Sequence, residues 1–403
     1  MRSLRIISGV MTLAAFTFLA GCGGGSSTPS VNAPANPIAS SGNNVAGITV
    51  NGGPLGNYAD AAFVTVTVCV PGTSTCQAVD NVLVDTGSSG LRILSSALSL
   101  TLPQVNASGS DPLVECYPFV SGYTWGPVKT ADVEMASEKA SSVPIQVLSD
   151  SDYTAPASCT DYGESSDSVE SLGANGIVGV GLFTLDCGIP SSPSCPSVGD
   201  VYYDCASTTS CSPTSATSAQ QVPNPVSLFT TDNNGVIVEL PSISGGEEST
   251  ASGSLVFGIG TESNNELSGA SIYTANEYGE FTTSFNNTTY SSSFIDSGSN
   301  GYYFSDASIA QCGNNSEAPG FYCPSSTDSL SATNEGLNGT SGTVDFSIAD
   351  AITLFNSDDN AFSDLGGTSA VSGGFDWGLP FFFGRNVYTG IQNGTYATGY
   401  WAY

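Results

Sequence analysis

Val82-Leu83-Val84-Asp85-Thr86-Gly87-Ser88-Ser89-Gly90 is an apolar, β-branched run that stops at a carboxylate and turns on glycine. Ser293-Phe294-Ile295-Asp296-Ser297-Gly298-Ser299-Asn300-Gly301 repeats the device in the second half of the chain. Each copy is a short strand, then Asp-(Thr/Ser)-Gly-Ser, then a further glycine. One such loop alone reads as a polar turn carrying a solvated aspartate. Two at matching positions, so far apart, predict a duplicated lobe rather than a short-period repeat.

The flanks repeat as well. Asn175-Gly176-Ile177-Val178-Gly179-Val180-Gly181 is a glycine-bracketed strand downstream of Asp85, and Trp377 to Tyr388 takes that place downstream of Asp296. Gly253-Ser254-Leu255-Val256-Phe257-Gly258 reads as one more strand between the halves. Ahead of the first loop, Tyr58 to Val70 alternates apolar and Thr residues, Pro71 to Cys76 is a turn, and Val79 to Val84 is a second strand. With 47 Gly, 21 Pro and only 10% charged residues, the composition is that of an all-β chain rich in turns. The segment 184–224, polar and Cys-rich, is expected as a disulfide-stapled surface insertion.

Residues 1–21 read as a secretory signal: Arg2 and Arg5, an apolar run from Ile6 to Ala20, then Gly21. With Cys22 behind them, Leu19-Ala20-Gly21 resembles the lipobox of bacterial lipoproteins, which implies lipidation of Cys22. Gly23 follows, and the sorting rules of such proteins then imply the outer membrane, on its periplasmic or its surface face. Residues 22–45, dominated by Gly, Ser, Pro, Asn and Ala, are expected as a flexible tether. The remainder is expected to divide into an N-terminal lobe, 46–245, and a C-terminal lobe, 246–403.

Eleven cysteines minus Cys22 leave an even number in an exported chain, which predicts disulfides. Nearest-neighbour spacing suggests Cys69–Cys76, Cys187–Cys195, Cys205–Cys211 and Cys312–Cys323; Cys116 and Cys159 then pair by elimination.

The net charge is −30 and there is no histidine. Such a chain cannot neutralise phosphates, so nucleic acid is excluded as a partner. The excess acid suits a soluble surface or adaptation to low pH. Without histidine, Ser-His-Asp and Cys-His mechanisms lack their base and a His-ligated zinc site lacks its ligands. No metal or other cofactor is expected, and carboxylates must carry any acid–base chemistry.

The paired loops resemble those of the pepsin-like aspartic peptidases, and the resemblance covers about residues 46 to 400. Phe375-Asp376-Trp377-Gly378-Leu379-Pro380-Phe381-Phe382-Phe383-Gly384-Arg385 also looks like a segment shared by a branch of proteobacterial lipoproteins. The resemblance implies an all-β, bilobal fold of two related β-barrel lobes with the cleft between them. It implies Asp85 and Asp296 as a catalytic pair sharing one proton; pepsin is the established example of such a dyad. Thr86 and Ser297 would brace the loops, Gly87 and Gly298 would allow the sharp turn under each carboxyl, and Ser88 and Ser299 would hold the outer oxygens. The implied substrate is a peptide or unfolded protein, cleaved at acidic pH by a monomer that touches the membrane only through its lipid. A non-catalytic peptide- or ligand-binding lipoprotein on the same fold is the alternative.

The family closes its cleft with a hairpin bearing a tyrosine. Val120 to Gly126 is the corresponding stretch, so Tyr123 and Trp125 are candidates for that role, or else packing aromatics. The sequence departs from the family at Leu91-Arg92-Ile93, where a tryptophan is usual. Arg92 is either a buried ion-pair partner or a group that recognises an acidic ligand. Trp377-Gly378-Leu379-Pro380 likewise replaces the common apolar-Leu-Gly-Asp.

Overall fold

The computed structural model describes residues 38–403 apart from 108, 150–152, 188–200 and 268. The expected signal peptide, Cys22, most of the tether and Cys195 lie outside the described residues. Among the described residues, no helix is long and apolar enough to cross a membrane.

Alternation decides the first barrel. In Ala62–Cys69, Val64, Val66 and Val68 point inward and Thr65 faces solvent, the period of a strand with one wet face. The strand pairs with Cys76–Asp85, whose last four residues are all buried. Six strands then close on themselves in the order Ala62–Cys69, Cys76–Asp85, Gly176–Val180, Ser89–Leu94, Glu138–Leu148 and Gly122–Met135, the last returning to the first. Closure leaves no free edge and encloses an aliphatic core of Val, Ile, Leu and Ala.

The second lobe is a seven-stranded sheet, ordered Ser341–Ile348, Asp328–Glu335, Phe281–Phe285, Thr288–Ile295, Gly374–Trp377, Tyr302–Tyr303 and Gly366–Gly367. Its core is aromatic. Phe375 stacks on Phe304 at 4.5 Å and on Trp377 at 4.4 Å, and the Trp377 indole donates to Thr283 Oγ1.

A third, antiparallel layer joins the lobes: Val45–Val50, Ala251–Phe257, Gly235–Glu239, Asn386–Gly390, Tyr400–Ala402 and Ile272–Thr274. Packing begins inside the stretch expected as tether, since the Ala39 N–H donates to Glu239 Oε2. The fold is therefore all-β and bilobal, with short helices only among the described residues, as the loops imply.

The 184–224 segment is not merely a surface insertion. Tyr202–Ser207 pairs with Leu113–Phe119, and Tyr202 and Tyr203 are buried, because two adjacent aromatics bury more apolar area against the hairpin than exposure would allow.

Cys69–Cys76, Cys205–Cys211 and Cys312–Cys323 are formed as the spacing suggests, and Cys116–Cys159 is formed as elimination suggests. Cys116–Cys159 spans 43 residues and Cys69–Cys76 only 7. Loop-closure entropy then makes the first worth roughly 4 kcal/mol and the second roughly 2.5 kcal/mol. We expect the Cys116→Ala/Cys159→Ala double variant to lose more stability in denaturant unfolding than Cys69→Ala/Cys76→Ala. The reverse order would overturn this account.

Candidate active site

Each carboxyl stands where a strand ends above a threaded neighbour. Cys76–Asp85 lies parallel to Gly176–Val180, with Asp85 opposite Gly179, and Ser89–Leu94 returns antiparallel on the other side of that strand. Thr288–Ile295 lies parallel to Gly374–Trp377, and Tyr302–Tyr303 returns antiparallel beside it. The loop sits directly on the threaded strand, so the crossing residue must be glycine. A Cβ on Gly179 would fall 2.7 Å from the backbone carbons of Ser88 and Ser89, and one on Gly378 2.1 Å from the Gly301 carbonyl oxygen.

The two loops interlock by backbone and hydroxyl groups. Thr86 Oγ1 donates to the Ile295 carbonyl (3.0 Å) and accepts from the Ser297 N–H (2.9 Å). Ser297 Oγ donates to the Val84 carbonyl (2.7 Å) and accepts from the Thr86 N–H (3.2 Å). All four bonds are buried and related by an approximate twofold.

This lock brings the carboxyls together. Asp85 Oδ1 accepts from the N–H groups of Gly87 (2.8 Å) and Ser88 (3.1 Å), and its Oδ2 accepts from Ser88 Oγ (2.5 Å). Asp296 Oδ1 accepts from the Gly298 N–H (2.8 Å) and its Oδ2 from Ser299 Oγ (2.8 Å). The Gly87 N–H also reaches Asp296 Oδ1 across the interface at 3.2 Å. A methyl on Gly87 would lie 2.7 Å from Asp296 Cγ, and one on Gly298 2.9 Å from Asp85 Cγ. Only glycine at both positions lets the carboxyls approach.

Burial raises the Asp85 carboxyl well above the ordinary range, and the Asp296 charge adds to this against hydrogen bonds from Ser88 and Gly87. Two carboxyls in contact cannot both ionise cheaply, so the pair retains one proton where isolated aspartates have lost theirs.

Residues 40–403 match the family model described as "Protein of unknown function (DUF3443)". The chain belongs to the DUF3443 family. No curated protein matches it. Among solved structures, the aspartic proteinase from Irpex lacteus resembles the DUF3443 chain with a TM-score of 0.49 and 16% identity, over 89% of this chain and 96% of that one.

The hairpin of this DUF3443 protein, Leu113–Phe119 with Gly122–Met135, does not bring Tyr123 and Trp125 to the dyad. Both are buried on its outer side against the Cys116–Cys159 disulfide and Tyr203, and the Trp125 indole donates to the Tyr153 carbonyl. They line a separate cavity of about 180 Å³ with Ser149, Tyr153, Ala155, Ser165 and Asp167. Strand alternation puts Glu115, Tyr117 and Phe119 on the other face. Tyr117 is the hairpin aromatic that feels the charge of Asp85. Sequence reading centred on the hairpin tip and so passed over it.

Arg92 is an ion-pair partner. It is fully buried, donates to Glu115 Oε1 (2.7 Å) and to the Ser89 carbonyl (2.8 Å), lies 3.7 Å from Asp186, and stacks 3.8 Å from the Tyr117 ring centre. Burial opposes its charge, but Glu115, Tyr117 and Asp186 outweigh that and hold it protonated. The guanidinium thus ties the hairpin to the strand that follows the first loop.

A third carboxyl, Asp376, also lies at the dyad. It sits in the threaded strand of the second lobe, and burial followed by the charge of Asp296 raises it well above the ordinary range. Its sequence signal was one acid inside the aromatic run from Phe375 to Phe383.

Several carboxyls therefore take up protons on folding. Burial raises Asp60, Asp85, Asp186 and Asp376, and lifts Asp364 to about 7. Their stabilising contribution is complete below the unfolded value near 4 and is lost as pH climbs through the raised values. Asp132 and Asp306 work oppositely. Burial opposes their ionisation, but hydrogen bonds led by the N–H groups of Ser142 and Ser308 lower both, and that stability is lost as pH falls below about 4. We expect the Tm to be higher near pH 4.5 than at pH 7.5 by roughly 5 °C or more, and Asp364→Asn to flatten part of that slope. A Tm that rises towards neutrality would contradict this charge arrangement.

Proposed function

We propose that this protein is an aspartic-type endopeptidase that cleaves peptide or unfolded protein substrates between Asp85 and Asp296. The observation that carries the reading is the cross-interface contact in which the Gly87 N–H donates to carboxyl oxygens of both aspartates. It sets two carboxyls from opposite halves of the chain around one donor, the placement that sharing a proton requires.

The chemistry needs nothing further. A water held between the carboxyls gives a proton to Asp296 as its oxygen bonds the peptide carbon. The protonated Asp85 donates to the carbonyl oxygen, giving a tetrahedral intermediate. Collapse breaks the C–N bond, the amine leaves with the proton held on Asp296, and Asp85 recovers its own from the hydroxyl. Ser88 and Ser299 fix the outer oxygens so that neither carboxyl rotates. The reading extends to an exported monomer, tethered at Cys22 to the outer membrane, with no partner besides its substrate and the membrane. The excess of acid and the secretory pattern support that extension.

Asp85→Asn and Asp296→Asn should each reduce hydrolysis of a denatured protein by roughly 10²-fold or more while leaving the circular dichroism spectrum unchanged. Activity should fall on the alkaline side as the Asp85 proton is lost, placing the optimum below neutral. Wild-type rates in either variant would sink the assignment. Pepstatin binding without hydrolysis at any pH from 3 to 8 would favour a non-catalytic binding protein.

A further inference from the structure

The second lobe places a carboxyl where the first lobe has a hydrocarbon. Asp85 stands opposite Gly179 and Ile295 opposite Trp377, so the two threaded strands superpose with Gly378 matching Gly179 and Asp376 matching Ile177. Their cross-strand partners match in turn, Arg92 opposite Ile177 and Tyr303 opposite Asp376. The architecture is thus satisfied by isoleucine, and a carboxyl at 376 is not required to build it.

Asp376 does not face the core. Phe375 and Trp377 on either side of it enter the aromatic stack, so alternation turns Asp376 to the opposite face. There it reaches the Ser299 hydroxyl, which itself donates to Asp296 Oδ2, and it feels the charges of both dyad members. It is only 7% exposed, and its Oδ1 is buried without a hydrogen-bond partner. An unsatisfied buried carboxyl oxygen is costly.

Among the described residues no base meets that cost. Arg92 is held by Glu115, Lys139 by Asp132 and Glu134, and Arg385 by the Phe381 carbonyl and ring. Lys129 has contacts of its own, and none of the groups acting on Asp376 is a base. Among the described residues no cluster of three or more acids or cysteines is arranged to hold a metal ion.

We propose that Asp376 is a specificity-determining residue, which accepts the side chain of a lysine or arginine placed next to the scissile bond. This rests on the reading of the dyad as a peptide site. The cation displaces the proton of Asp376 and pairs with its carboxylate, a gain that a neutral side chain of equal length cannot provide.

The test uses peptides in which a hydroxyethylene group replaces the scissile amide, with lysine or norleucine at one or the other flanking residue. Binding is measured by calorimetry to the wild-type protein, D376N and D376L, each checked for folding by circular dichroism. At one flanking position the lysine peptide should bind wild type at least roughly ten-fold tighter than its norleucine twin, as expected for a buried charge pair. Both variants should lose that ratio. Equal affinities in wild type, a ratio retained in both variants, or no binding of any peptide would overturn the proposal. The parent amide peptides are assayed in parallel. A lysine preference in binding without any cleavage supports the role of Asp376 while defeating the hydrolase reading.

Discussion

The exchange of hydrogen bonds between Thr86 and Ser297 is the constraint on which the site depends. Each hydroxyl donates to the carbonyl of the residue just before the opposite aspartate, and each accepts a backbone N–H in return. The four bonds are buried, so breaking one would leave polar groups without water to replace their partners. They fix two turns distant in sequence at one separation. The carboxyl contact, the retained proton and the need for Gly87 and Gly298 all follow from that separation.

Around this lock the protein tolerates an unusual amount of buried charge. Arg92, Glu115 and Asp186 form a sealed group with Tyr117 and Tyr202, in which the Tyr202 hydroxyl donates to Asp186 and accepts from the Val222 N–H. Burial and then the Glu115 charge raise Asp186, so a proton there leaves the group near neutrality. The group joins the strand after the first loop to the hairpin and to the 184–224 segment. Its value is positional, since an apolar cluster of that size would pack as well without specifying which side chain meets which.

Legibility in the sequence followed how local each signal was. The loops and their threaded glycine strands are contiguous motifs with steric requirements, so Asp85, Asp296 and the all-β fold could be read directly. The short disulfides were legible for the same reason. Tyr117 was not, because its facing depends on the register of Leu113–Phe119 against Gly122–Met135, and one step of register exchanges the two faces. Asp376 was hidden differently. Its neighbours Phe375 and Trp377 marked the strand as core, and only pairing with Thr288–Ile295 and Tyr302–Tyr303 shows which face the carboxyl takes. Arg92 stood out as a scarce base, but Glu115 and Asp186 were two acids among 36.

The joining layer has a consequence for the order of events during synthesis. Val45–Val50 pairs with Ala251–Phe257, and Gly235–Glu239 waits for Asn386–Gly390. The strand threaded beneath Asp296, Gly374–Trp377, is likewise made far later than the strand it supports. A growing chain can close its first barrel early, but the second loop lacks its threaded strand until residues 374–377 have been made, and the layer is incomplete until residues 400–402. Such long-range pairings form slowly and late. The two aspartates can thus meet in their final geometry only after the strand threaded beneath the second of them has been made, so the carboxyl pair is among the last features of the molecule to form.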